Sequence, residues 1–389
     1  MIKYSPCRER PEEARQLPAI IQNANAIQSG SLADEYFSQK HLPEKIKTKK
    51  CLAKIIGTGS FLPEKLYTIS DLKRYFPQID EEWTFNNIGV KTRYFARNFD
   101  SGIVSHTNSE LTCLAAQKAM QTANISPEEI DLIVTTTASP DYIIPNMACM
   151  VQDKLGAKNA AALGIYSGCA GFVTALTTAC QFIETGKSKI ALVTGSELLS
   201  NYLDFNHQKC METQTVNSTI FGDGAGAVIL KSSYDGHGIL TSFIGSDGKD
   251  NGPLILHDGG SKNRPTIETL KEGRHFWDLD FKAVITQSPR FMKESLKRVL
   301  EQEKIELNDI DWIIPHQPTL PITKRFFKKI NFPIEKGIIY VDQVGNLASA
   351  CIPVSLAMAV NNNKIKDGDL VLLVAAGAGW MFGACLIKW

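Results

Sequence analysis

The sequence predicts an α/β protein of five layers, αβαβα, built from two duplicated halves. Two observations predict it. ISPEEIDLIVTTTASPD resembles IELNDIDWIIPHQPT with Ile130-Asp131 and Ile310-Asp311 in register, AGFVTAL (170–176) resembles ACIPVSL (350–356), and IALVTGS (190–196) resembles LVLLVAA (370–376). All three pairs share an offset of about 180 residues, which points to duplication. Each half also carries one helical stretch without a charged side chain, and such a helix needs a layer on both of its sides. Packing the two uncharged helices together between two sheets gives the five layers.

The elements follow in order. Residues 1–50 belong to neither half. They show helical periodicity in places, punctuated by Pro11, Pro18 and Pro43, and read as an N-terminal extension without assignable chemistry. The first half spans 51–232. Its helix start at Ser126-Pro127 leads to the strand IDLIV, then to a strand ending at Tyr166, the uncharged helix, a Gly186-Lys187 turn and the strand IALVTGS. The second half, 233–389, repeats the order with Asn308-Asp309, IDWII, ACIPVSL, the Asp367-Gly368 turn and LVLLVAA. Apolar strands alternating with helices mean sheets covered on both faces.

Composition narrows the function. Among 389 residues, 42 Lys plus Arg against 41 Asp plus Glu give a net charge of +1, which argues against whole-surface attraction to nucleic acid or anionic lipid. Nine cysteines form no CxxC, so zinc spacings are unsupported and reduced thiols are expected. MIKYSPCRERPEEARQ lacks an apolar secretory core, giving the expectation of a cytoplasmic protein. Residues 159–183 and 343–363 contain no Lys, Arg, Asp, Glu or His. Polar residues interrupt both stretches, so they read as buried helices and not as membrane spans.

The chemistry concentrates at three element ends. In GIYSGCAGF (164–172) a strand ends, Gly168 permits a tight turn, and Cys169 opens the uncharged helix. A helix N-terminus is expected to lower the thiol pKa and to offer N–H groups to a carbonyl oxygen. His316 ends the strand IDWIIP, and Asn346 precedes the second uncharged helix. Duplication about a pseudo-twofold axis directs these ends towards Cys169. The glycines of FGDGAGAVIL (221–230) fit no phosphate-binding pattern and read as a turn into a core strand.

From about residue 51 to 389 the chain resembles β-ketoacyl-acyl-carrier-protein synthase III, of the thiolase superfamily. The resemblance rests on SGCAGF, IFGDGAGAVIL (220–230), DWIIPHQP (311–318), GNLASACIP (345–353) and GAGWMFGACLIKW (377–389). It implies the five-layer thiolase fold, a homodimer, and a catalytic triad of Cys169, His316 and Asn346. It further implies an oxyanion hole from the N–H groups of Cys169 and Ala378. The implied reaction loads an acyl group on Cys169, then condenses it with a malonyl-carrier thioester with loss of carbon dioxide, giving a 3-oxoacyl product. Acyl-CoA or acyl-carrier thioesters serve as substrates, an acyl carrier protein is the partner, and no metal or redox cofactor is needed.

The surroundings depart from the family. Trp83 keeps the ring that faces the CoA adenine, but Asn87 replaces a nucleotide-binding Arg. Ile144 takes the place of an aromatic at the acyl tunnel, and Ala376 that of a Phe associated with malonyl decarboxylation. Lys282 completes the implied substrate contacts. Thr319 and Pro321 replace polar residues after the active His, while Lys324, Arg325, Lys328 and Lys329 retain a basic carrier-docking group. About seven extra residues fall around Leu203–Thr215, where Lys209 is a candidate substitute for the lost Arg charge. A biosynthetic thiolase would need a Cys where Val374 and Ala375 stand. A hydroxymethylglutaryl-CoA synthase or head-to-head condensing enzyme would need a Glu near TTTASPD (135–141). A plant-type polyketide synthase would need Gly-Pro-Gly in AAGAGW (375–380). An acyltransferase forming an ester or amide without decarboxylation stays open through Ala376. A non-catalytic partner subunit is the remaining alternative, against which the retained triad counts.

Overall fold

The computed structural model describes residues 50–205, 211–249 and 253–389; the 1–50 extension, its last residue apart, and Lys209 lie outside them. Nine strands form the two main sheets: β1 (Leu52–Phe61), β2 (Leu132–Thr136), β3 (Ala161–Ile165), β4 (Ile190–Glu197) and β5 (Gly224–Ser233) in the first, β6 (Gly238–Ser246), β7 (Trp312–Pro315), β8 (Leu370–Gly377) and β9 (Met381–Lys388) in the second. The first sheet has the order β1-β5-β4-β2-β3 and the second β7-β8-β9-β6. In the first, β2 runs parallel to β3 and β4, while β5 is antiparallel to β4 and β1. The second repeats the scheme, with β7 parallel to β8 and β9 antiparallel to β8 and β6. Both sheets lie within one compact unit, Lys49–Trp389.

The helices used below are α1 (Glu81–Asn87), α2 (Asn108–Ala123), α3 (Gly171–Glu184), α4 (Met211–Ile220), α5 (Phe281–Glu303), α6 (Leu320–Ile330) and α7 (Cys351–Asn361). Helix α3, charged only at its last residue Glu184, and the uncharged α7 occupy the middle layer. Phe172, Leu176 and Ile183 of α3 share one core with Ile352, Leu356 and Ala359 of α7. Val134 and Val193 of the first sheet and Val371 and Leu373 of the second close that core from either side.

Alternate strand residues face outwards. Ile133, Leu192 and Ile229 pack on Leu111, Ala115 and Ala119 of α2. On the other sheet, Leu372, Val374 and Leu386 pack on Phe291 and Leu296 of α5 and Phe326 of α6. Each fully buried Leu, Ile, Val or Phe contributes about 1.5–3 kcal/mol, so the period-2 pattern of these strands specifies both covering layers.

Two local differences from the sequence reading affect the site. Cys169 precedes the helix: a 3₁₀ turn, Gly168–Ala170, comes first and α3 begins at Gly171, just as the turn Ala348–Ala350 precedes α7. Among the described residues the second half also has no counterpart of β3 beyond a single bridge between Ile313 and Gly337. Among the described residues no helix is long and apolar enough to cross a membrane.

Candidate active site

Three element ends meet at one narrow cavity of about 40 Å³, whose wall includes Cys169, His316, Asn346, Ala376 and Ala378. Gly168 takes φ +49°, which admits the turn before Cys169. The turn after β8 closes directly on this backbone. A Cβ at Gly377 would lie 2.6 Å from the Cys169 nitrogen, so glycine alone permits the approach that brings Ala378 beside the cysteine.

The expected depression of the Cys169 pKa is not found. Burial pushes the thiol above its ordinary value, and nearby Cys351 and Glu197 add to the rise. The physical reason is that α3 starts two residues later, so its dipole is outweighed by loss of hydration.

His316 stands just beyond β7, where its backbone N–H donates to Val374 O at 2.7 Å. The residue is 2% exposed, and burial lowers its pKa from 6.5 to about 3. The imidazole is therefore neutral, and Nδ1 has no hydrogen-bond partner among the described residues. Asn346 is fixed from both sides. Its backbone N–H donates to Ile220 O at 2.8 Å and its carbonyl accepts from Gly222 N at 3.1 Å. Its side-chain Oδ1 accepts from Ala348 N at 2.8 Å and from the Cys351 thiol at 3.5 Å. With Oδ1 engaged, the Nδ2 donors are the end of the amide left for a ligand, on the assignment that this hydrogen-bond network dictates.

The segment 220–222 thus straps Asn346 in place. The glycine-rich FGDG run is structural: the buried Asp223 carboxylate accepts from Ala96 N at 2.8 Å and Ser200 Oγ at 2.6 Å. Sequence reasoning missed two supporting residues. Glu197, wholly buried at the end of β4, accepts from Ser349 Oγ at 2.6 Å, Ser139 Oγ at 2.7 Å and Ala138 N at 3.1 Å. It joins the two halves behind the site, and burial raises its pKa. Gln317 accepts from Tyr340 N and Val341 N while donating to Ser355 Oγ. The signals were an acid closing an apolar strand and an amide beside the histidine.

The remaining expected contacts are dispersed. Trp83 is half-exposed on α1 beside a separate hollow that Ile79, Asp80, Thr215 and Val216 help to line. Asn87 folds back to donate to Trp83 O at 2.8 Å. Among the described residues, no Lys or Arg lines this hollow. Lys282 is exposed in the first turn of α5, next to Phe281 of the cavity wall. Ile144 is 85% exposed and does not line the cavity of this single chain, because its loop projects away from the core. On α6, Ile322, Phe326, Phe327 and Ile330 face inwards and Lys324, Arg325, Lys328 and Lys329 face solvent.

Two family profiles match the chain: 3-oxoacyl-acyl-carrier-protein (ACP) synthase III over residues 163–248, and the C terminal part of that synthase over 300–389. A beta-ketoacyl-acyl-carrier-protein synthase III of Clostridioides difficile is 37% identical over 337 residues, covering 87% of this chain and 98% of the relative. One from Syntrophomonas wolfei is 36% identical over 335 residues, covering 86% and 97%. The crystal structure of 3-oxoacyl-acyl-carrier-protein synthase III from Aquifex aeolicus superposes with a TM-score of 0.74 at 32% identity, covering 87% of this chain and all of that one. With that similarity running through both sheets and the cavity between them, the chain belongs to the β-ketoacyl-acyl-carrier-protein synthase III family.

Proposed function

We propose that this enzyme loads an acyl group on Cys169 and condenses it with a malonyl-carrier thioester. The observation that carries the reading is the convergence of Cys169, neutral His316 and Asn346 on one cavity. In the first step the Cys169 sulfur attacks the donor carbonyl. The carrier or CoA sulfur leaves, and the cysteine proton departs with it, so the exchange is neutral overall. Backbone N–H groups of Cys169 and Ala378 receive the transient oxyanion. In the second step the malonyl C–C bond breaks, carbon dioxide leaves, and its electron pair forms an enolate. His316 and Asn346 donate to the enolate oxygen. Carbon then attacks the acyl-cysteine, and the sulfur departs and is reprotonated.

The raised thiol pKa is compatible with this order, because a neutral thiol–thioester exchange needs no standing thiolate. The basic face of α6 supports docking of an acidic carrier protein, and the exposed Lys282 beside Phe281 of the cavity wall supports a substrate contact. The cation-free hollow at Trp83 supports a carrier-bound donor over free CoA esters, whose phosphates would find no Lys or Arg among the described lining residues. The consecutive Tyr142, Ile143 and Ile144, which are 60%, 71% and 85% exposed, support burial against a second copy in a homodimer.

A second reading, acyl transfer to an alcohol or amine, is favoured by the small Ala376 at the cavity wall. Mass analysis of products from acyl-carrier and malonyl-carrier thioesters tests the choice. A 3-oxoacyl product with one carbon dioxide per turnover supports condensation, and an ester or amide retaining every carbon supports the second reading.

A further inference from the structure

Among the described residues, two buried donors in the cavity wall have no hydrogen-bond partner. Ser288, on α5, is 1% exposed and Trp380, in the turn after β8, is 2% exposed. Among the described residues neither Ser288 Oγ nor Trp380 Nε1 has a hydrogen-bond partner, and both residues line the cavity with His316 and Ala376. Trp380 is held firmly: its backbone N–H donates to Asp247 O at 2.8 Å, Asp247 N–H returns the bond to Trp380 O at 2.9 Å, and its ring packs 5.4 Å from that of Phe291. A buried unpaired donor is unfavourable unless a ligand or water completes it.

The character of the cavity limits that ligand. Among the described residues its wall contains no Lys, Arg, Asp or Glu. A carboxylate retained there would be desolvated without a counter-charge, whereas a neutral oxygen suits two neutral donors.

Taking the cavity as the acceptor site proposed above, we infer that Ser288 and Trp380 form a polar subsite for a neutral hydrogen-bond-accepting oxygen on the acceptor's acyl portion. The acceptor class is a malonyl thioester that also bears a hydroxyl, ether or carbonyl oxygen near its reacting carbon. Ser288 and Trp380 are specificity-determining residues, and the preference is for oxygen over a methyl group of similar size.

Stable pantetheine amides carrying 2-hydroxypropanoyl or 2-methylpropanoyl groups test this by calorimetry, since they differ by one hydroxyl in place of one methyl. The hydroxy amide, as its better-bound enantiomer, should bind wild type about tenfold more tightly. The ratio should fall towards one in Ser288→Ala and in Trp380→Phe, with thermal melts establishing that each variant is folded. A ratio of one in wild type, or an unaltered ratio in both folded variants, overturns the inference and leaves water as the partner of these donors. The preference should persist after acylation of Cys169; its loss then would overturn the acceptor assignment. A malonyl condensation assay on the same preparations separates the two readings, because failed condensation with an intact binding ratio refutes the decarboxylative function alone.

Discussion

Replacing His316 by Gln removes a base that the fold keeps neutral. Burial lowers its pKa from 6.5 to about 3. The unfolded imidazole takes up a proton below pH 6.5, while the native one stays neutral until about pH 3. The unfolded state binds more protons in this window, so stability falls as pH falls. At about 1.4 kcal/mol per pH unit, the loss reaches about 2 kcal/mol between pH 7 and pH 5 and saturates at about 5 kcal/mol below pH 3. Urea unfolding of wild type and His316→Gln at both pH values isolates the effect, because the other titrating groups are common to both proteins. Wild type should lose about 2 kcal/mol more stability than the variant on going from pH 7 to pH 5. Equal losses would refute the buried neutral histidine and remove the physical basis of its donor role.

Asn346→Ala should slow condensation by about 10²–10³, the scale of one oxyanion donor, and slow Cys169 acylation less; single-turnover kinetics of the two steps checks this. Charge reversal in Lys328→Glu/Lys329→Glu should raise the KM for carrier protein without changing hydrolysis of a small acyl thioester, and the wild-type advantage should shrink with added salt. Asn87→Arg should improve acylation by CoA esters by about tenfold, because a charge-assisted bond contributes about 1.5–3 kcal/mol against about 1 for a neutral one. Rates with the same acyl group on CoA and on carrier protein provide that comparison.

The large architecture was legible because it is written in repeated local patterns. Ile130-Asp131 and Ile310-Asp311 mark equivalent entries to β2 and β7, and the uncharged helices disclosed a layer enclosed on both sides. The positions of Cys169, His316 and Asn346 at element ends were legible for the same reason. The electrostatics of Cys169 were not. The helix N-terminus behind Cys169 suggested a lowered pKa, but desolvation depends on what the rest of the chain places around the sulfur. Ser288 falls within the regular buried face of α5, and only the packed cavity reveals its unpaired hydroxyl. Glu197 ended an apolar strand in the sequence, yet its partners Ser139 and Ser349 come from different halves.

The most direct test of the central claim is peptide mass mapping after incubation with an acyl-carrier thioester. The acyl mass should appear on the peptide containing Cys169 and be absent from Cys169→Ala. Cys351 lies close enough to influence the Cys169 thiol and is the natural internal control. Acyl mass on Cys351 instead, or undiminished acylation of Cys169→Ala, would contradict the assignment of the nucleophile.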